Sequence, residues 1–442
     1  MNATVVYIWM SAWLCITASQ PTYAEAKWWN DYWELRVPIV VKASEGALSK
    51  RPVTIKWASI SKKLGAIPVR LSSLHLIADG KSVPFQVDHR DSFGNYLTQG
   101  NMTLDPDDEI VFVTLSSKKT IYHLYMSRKP IPLPQFQTNI QALALRNTQA
   151  HQRLSSAGLS IDIQGDAPLD TASVPQAVYG KGAIVGMSWQ GKPITGQNNN
   201  WSVVMNGHPF TADPGNRWQT TKLIVDGPVR KIVAARCDGI SLTNSDTSVI
   251  FKGSVSRYFS MFSDSPLYDL DDVIECKTAQ GNSVISYADR LILGQRPNVN
   301  DTLWYGSTGA PRRFPLSDSK IPHTKDGCFD TTGELIKLDN AQKGWYAWFD
   351  EKERIGLGVF YGTDQATANQ PTKVSFASGW AMWSSENWMA FYYTGLKAPT
   401  HLRHRFRVFG IRNATPDGVD REFRLWKNPQ VTIEIGGIRR KK

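Results

Sequence analysis

Apolar and polar residues alternate in short runs along most of this chain, with turn residues between the runs. From Trp33 to Val41 the side chains of Trp33, Leu35, Val37, Ile39 and Val41 fall on one face. A period of two is that of a half-buried strand. The runs Ile110–Thr114 and Ile121–Tyr125 flank the polar turn Ser116–Lys119 and read as a hairpin. Further strand-like runs occur at Lys222–Val225, Val229–Cys237, Val249–Phe262, Val284–Leu293 and Gly344–Phe349. Others follow at Ile355–Phe360, Met389–Tyr393, Leu402–Phe409 and Val431–Ile435. Only Ala58–Leu64 and the stretch after Thr138 suit a helix, and weakly.

Many strands with little helix predict an all-β protein. The proline-dense segment Lys129–Pro134 is extended and marks a boundary. Residues 27–130 are expected to form an N-terminal β-sandwich, 131–150 a linker and 151–442 a large second sandwich. The stretches Gly180–Asn200 and Ser307–Asp330 read as long loops, where binding residues often sit on β scaffolds.

The chain has 442 residues, too many for one ordinary domain, and 16 Trp. Met1 to Ala24 carries no charge, and Val5–Thr17 is apolar but too short to span a bilayer. Small residues follow, so residues 1–26 read as an export signal cleaved after Ala24 or Ala26, with secretion or a periplasmic location implied. The alternative is a buried or anchoring segment. No later run is long and apolar enough for a membrane span. Cleavage removes Cys15 and leaves Cys237, Cys276 and Cys328. Cys237 and Cys276 lie in strand-like segments and are the expected disulfide pair; three small buried thiols are the alternative. The net charge of +11 suits an acidic partner. No nucleic-acid-binding spacing is present, which disfavours that partner.

Phosphate-binding loops, nucleophile elbows and zincin signatures are absent, which argues against NTPases, serine hydrolases and zincins. Gly356-Leu357-Gly358 sits in a strand without a following helix, so it is no dinucleotide loop. Trp304-Tyr305, Trp345-Tyr346-Ala347-Trp348, Trp380, Trp383 and Trp388 form an aromatic set suited to stacking on sugar rings, or to a thick core. In Leu402–Val408, Arg403, Arg405 and Arg407 share one face, which could hold carboxylates or be solvated. The loop Asn206–Trp218 gathers His208, Asp213, Arg217 and Trp218. His208 could move protons near neutral pH, as could His323 in a weaker setting, or each could be held in a turn. Arg230, Arg257-Tyr258 and Tyr287–Arg290 place charged or phenolic groups within strands. Asp269-Leu270-Asp271-Asp272 is a candidate divalent-ion site or a solvated turn. No cofactor is otherwise expected.

Trp33-x-x-Arg36-Val37-Pro38-Ile39, Val83–Asp88 and Asp107–Phe112 resemble the N-terminal sandwich of secreted mutarotase-like proteins of polysaccharide-degrading bacteria. Asp226–Arg230, Gly344–Asp350 and Gly356–Phe360 resemble the galactose-mutarotase-like super-β-sandwich of such chains, among them relatives of exo-acting rhamnogalacturonan lyases. This resemblance implies a fold and a carbohydrate-active role. With the positive charge, it leads to the expectation of a polysaccharide lyase acting on an anionic, uronic-acid-containing glycan. His208 and Tyr258 are the acid/base candidates. Arg217, Arg230, Arg405, Trp218, Trp345 and Trp383 are the candidate sugar contacts. A hydrolase using two of Glu275, Asp289, Asp350 and Glu386, or a non-catalytic glycan-binding or envelope protein, are the alternatives.

Overall fold

A computed structural model describes residues 28–29, 32–43, 46–65, 69–92, 94–98, 103–129, 131, 135–145, 151–163, 184–195, 199–205, 208–211, 218–243, 249–279, 285–295, 301–306, 309–315, 328–330, 344–363, 373–377, 386–396, 400–429 and 433–441. Arg217, His323 and Trp383 lie outside them, as does the segment expected to be an export signal.

The N-terminal unit holds β1 (Leu35–Val41), β2 (Pro52–Lys56), α1 (Trp57–Leu64), β3 (Leu74–Ala78), β4 (Lys81–Ser82), β5 (Phe85–Asp88), β6 (Glu109–Val113) and β7 (Thr120–Met126). One sheet runs β1-β7-β3-β4 and the other β2-β6-β5. Leu35, Val37, Ile39, Ile55, Phe112, Tyr122 and Leu124 fill the space between them. The β6 and β7 runs are therefore not a hairpin. They belong to opposite layers, and Phe112 meets Tyr122 across the core with ring centroids 4.7 Å apart.

Next come β8 (Gln141–Leu145), β9 (His151–Ser156), β10 (Leu159–Ile163), β11 (Ile184–Trp189) and β12 (Lys192–Thr195), a sheet in the order β12-β11-β10-β9-β8. The stretch after Thr138 is thus a strand rather than a helix. Part of the expected 180–200 loop is the β11–β12 hairpin, closed at Gln190 (φ 52°) and Gly191 (φ 76°), the signs a tight twisted turn requires.

The chain continues through β13 (Asn199–Met205), β14 (His208–Thr211), β15 (Trp218–Asp226), β16 (Arg230–Thr243), β17 (Val249–Phe262), β18 (Leu267–Ala279), β19 (Ile285–Gln295) and β20 (Asp301–Tyr305). It goes on through β21 (Arg312–Pro315), β22 (Cys328–Asp330), β23 (Trp345–Asp350), β24 (Ile355–Thr363), β25 (Lys373–Ala377), β26 (Glu386–Leu396) and β27 (Thr400–Arg412). A large sheet runs β15-β16-β17-β18-β27-β24-β23-β20-β21, and a smaller one β14-β13-β19-β26-β25-β22. One face of the large sheet, with Val233, Phe259, Leu270, Val359 and Phe406, packs on the β8–β12 sheet. The protein is all-β, as its alternation predicts.

After β27 come α2 (Pro416–Lys427), β28 (Ile433–Ile435) and β29 (Arg439–Arg440). Both short strands return to the N-terminal unit and pair with β1. No helix among the described residues is long and apolar enough to cross a membrane.

Two expectations fail on strand geometry. Cys237 of β16 lies opposite Val255 and Cys276 of β18 opposite Gly253, so β17 runs between them. Two strand spacings are roughly 10 Å, and a disulfide needs Cα atoms within about 7 Å. Asp269-Leu270-Asp271-Asp272 is not a solvated turn but the middle of β18, buried within the large sheet. Asp269 and Asp271 face one side and Asp272 the other, so the three cannot converge on an ion. Among the described residues no group of His, Cys, Asp or Glu could hold a metal.

Candidate functional site

The second face of the large sheet meets the N-terminal unit, and this seam collects ionisable groups. Asp226-Gly227-Pro228-Val229 turns the chain from β15 into β16 against Gln86 of β5. Gln86 Oε1 accepts from the backbone N–H of Val229 (2.9 Å) and Arg230 (2.7 Å), and its Nε2 donates to Arg230 O (3.1 Å). A Cβ on Gly227 would lie 2.1 Å from Gln86 Oε1, so only glycine permits this approach.

The turn delivers Arg230 into a closed network. Its Nε donates to Asp88 Oδ2 at 2.6 Å and its Nη2 to Glu109 Oε2 at 2.7 Å. Arg90 pairs with Glu109 at 2.9 Å, and its guanidinium lies 3.7 Å from the centroid of the Tyr96 ring. Burial pushes the Glu109 carboxyl up, but the charges of Arg90 and Arg230 outweigh it and bring it down to about 2. Arg230 therefore fastens the two units together, and its surface is taken up by protein.

Beyond this lock the same face continues, largely buried, with Arg236 and Arg405 reaching its surface. Strand register sets Ala234, Tyr258, Asp271, Arg405 and Gly362 in one row across five strands. The next row holds Arg236, Ser256, Val273 and Arg403. Direct neighbours in such rows have Cβ atoms about 5 Å apart. Arg236 thus lies diagonal to Tyr258, while Arg405 lies beside Asp271 and Arg403 diagonal to it. Arg405, 40% exposed, lies 3.5 Å from Asp269 and 5.9 Å from the Trp426 ring centroid. Arg407 in the following row is consumed by a two-pronged pair with Asp269 (2.6 and 2.8 Å). The Arg257–Asp272 pair is fully buried on the opposite face.

Tyr258 is 5% exposed. Its hydroxyl donates to Asn95 Oδ1 at 3.0 Å, and its ring meets Tyr96 edge-on at 5.3 Å. Burial raises the phenol, against a hydrogen bond from Ser256 and the charge of Arg236, so it stays protonated near neutral pH. It is placed to give a proton rather than to take one.

The other candidates are dispersed. His208 opens β14, at an edge of the smaller sheet, and no strand of the Tyr258 row belongs to that sheet. Trp218 opens β15, opposite Cys237. Trp345 is 1% exposed and donates from Nε1 to Asp420 of α2 at 2.9 Å, so it is core and not a stacking surface. Trp304 stacks on Phe349 at 4.2 Å in the same cluster. Asp350 caps the turn after β23 by accepting from the N–H groups of Lys352 and Glu353. Glu275 lies on the Tyr258 face further along β18. Arg236 was not singled out by sequence, and Asp271 was read there only as part of a candidate ion site or solvated turn. Only register shows them beside Tyr258, although each alternates with the apolar residues of its strand.

No protein-family model matches the sequence. No curated protein matches it either. Among solved structures, an alpha-mannosidase from Enterococcus faecalis V583 is similar over 91% of this chain and 46% of its own, at 8% identity and TM-score 0.47. A galactose mutarotase-like protein from Clostridium acetobutylicum is similar over 62% of this chain and 99% of its own, at 8% identity and TM-score 0.36. An alpha-N-acetylgalactosaminidase from Bifidobacterium bifidum covers 63% of this chain and 39% of its own, at 9% identity and TM-score 0.43. This chain thus spans under half the length of the mannosidase and of the acetylgalactosaminidase. Likeness at this level bears on neither activity nor ligand.

Proposed function

We propose that this is an exported, carbohydrate-active protein that cleaves an acidic, uronic-acid-containing glycan by β-elimination at the Tyr258 face. The observation that carries this reading is the register that sets Arg236 diagonal to a neutral, buried phenol and Arg405 beside Asp271, the phenol's partner on the next strand. Guanidinium groups neutralise a uronate carboxylate and make the adjacent C–H more acidic. Asp271, beside Tyr258 and Arg405 in register, takes that proton. The electron pair forms the ring double bond, and Tyr258 protonates the departing glycosidic oxygen.

The test is incubation with pectic and other uronate polysaccharides while following unsaturated-uronate absorbance. Tyr258→Phe should lower turnover about a hundredfold or more, and Arg405→Gln should raise KM more than it lowers kcat. Reducing ends without new absorbance would make the protein a hydrolase. Glycan binding with no product would make it a binding protein.

A further inference from the structure

The outer face of the N-terminal sheet carries a second aromatic and basic cluster, separate from the Tyr258 face. Arg439 of β29, Arg36 of β1, Tyr125 of β7 and His75 of β3 are successive register partners and form one row across four strands. The segment before β1 folds down on this row. Trp29 N–H donates to the Tyr125 hydroxyl at 3.1 Å, and Trp28 meets the Tyr125 ring edge-on at 5.6 Å. The Arg36 guanidinium lies 4.8 Å from the Trp28 ring centroid. His75 is held between two indoles, with Trp33 at 5.4 Å and Trp29 at 4.7 Å, each 19° from parallel.

Trp33 closes the buried end of this three-ring stack, and Trp29 ends it towards solvent at 36% exposure. Tyr32, three residues on in the chain, is 78% exposed. An indole fixed from behind by two stacked rings loses little freedom when something flat settles on its outer side. The described charges at the rim of this end of the sheet are Arg128, Lys129, Arg439, Arg440 and Lys441, against Glu34, which sits 3.6 Å from Arg128; Arg36 is buried at 4% exposure.

We infer that Trp29 and this basic rim form a second saccharide-binding site that takes the ring of an acidic sugar. The flat C–H face of a pyranose packs on the open indole face, and arginine answers its carboxylate. Aromatic surface alone would suit a neutral sugar; the excess of cations selects an acidic one. The substrate class rests on the reading above, but the site shares no residue with the Tyr258 face.

The full chain carrying Tyr258→Phe should therefore bind a galacturonate oligosaccharide at two sites in a calorimetric titration. Adding Trp29→Ala should weaken one of them about tenfold or abolish it. Arg439→Gln should weaken the same site and flatten its salt dependence. Trp29→Ala in the otherwise unchanged protein should leave turnover of short oligosaccharides as it was. An isotherm unchanged by either substitution overturns the inference, as does binding only to phosphatidylglycerol vesicles. Loss of the lyase reading with Trp29-dependent binding intact would leave this site standing.

Discussion

Arg230 shows how one residue can look like a ligand contact and serve as a fastener. Both its carboxylate partners come from the N-terminal unit, and all three groups are buried. Replacing it with Met removes the charge but leaves Asp88 and Glu109 enclosed without it, which costs about 3–5 kcal/mol. Denaturant midpoints should show the loss. Glu109 gives the network a pH signature. Its carboxyl is depressed from 4.5 to about 2 in the folded protein. Folding therefore gains stability from its ionised form that is fully present above pH 4.5 and lost as pH falls towards 2. The shift corresponds to about 3 kcal/mol. Glu109→Gln should flatten the stability profile across that window and leave a lower plateau above it. A profile as steep as the parent's would show that Glu109 is not the titrating group. His123, lowered to about 4 by burial and by the charges of Arg36 and Arg439, acts in a higher window. It favours the fold above pH 6.5 and loses that effect towards pH 4.

At the scale of elements, alternation located most strands because each long strand buries side chains on two distinct faces. Val249–Phe262 is β17 to the residue. β18 was missed because three aspartates fall in its middle, and the arginines that neutralise two of them, Arg257 and Arg407, stand on neighbouring strands. Helix α2 was missed for a related reason. Its buried side includes Asp420, which accepts from Trp345, and Glu422, which pairs with Arg51 at 2.8 Å. Those carboxylates disguise the helical period. The start signals were nonetheless present: Thr415 as N-cap, Pro416 in the first turn and Asp417 after it. Which strand lies between two cysteines is also a property of elements. Peptide mapping without reduction should find no Cys237–Cys276 link. Recovery of that cross-linked peptide would mean that the order β16-β17-β18 is wrong.

At the scale of the whole molecule, the last two strands return to the first. β28 pairs with β1 through Ile433–Ile435, and β29 pairs through Arg439–Arg440. Glu422 also reaches from α2 to Arg51, so the C-terminal segment ties the two units at separate points. Deleting residues 428–442 should leave β1 as an open edge, with its backbone groups unpaired on one side. Hydrogen exchange along Leu35–Val41 should then accelerate, while β16–β18 stay protected. Unchanged protection of β1 would show that the return strands add nothing to the N-terminal sheet.

Strand periodicity, turn residues and the excess of positive charge were settled by the sequence, because each is a local property of neighbouring residues. The first two of these settle an all-β protein. The grouping of Arg236, Arg405, Tyr258 and Asp271 was decided by tertiary structure alone, as was the enclosure of Arg230 and Trp345. A strand's own sequence says which residues share a face, but only its partners decide whether that face meets solvent, core or another unit.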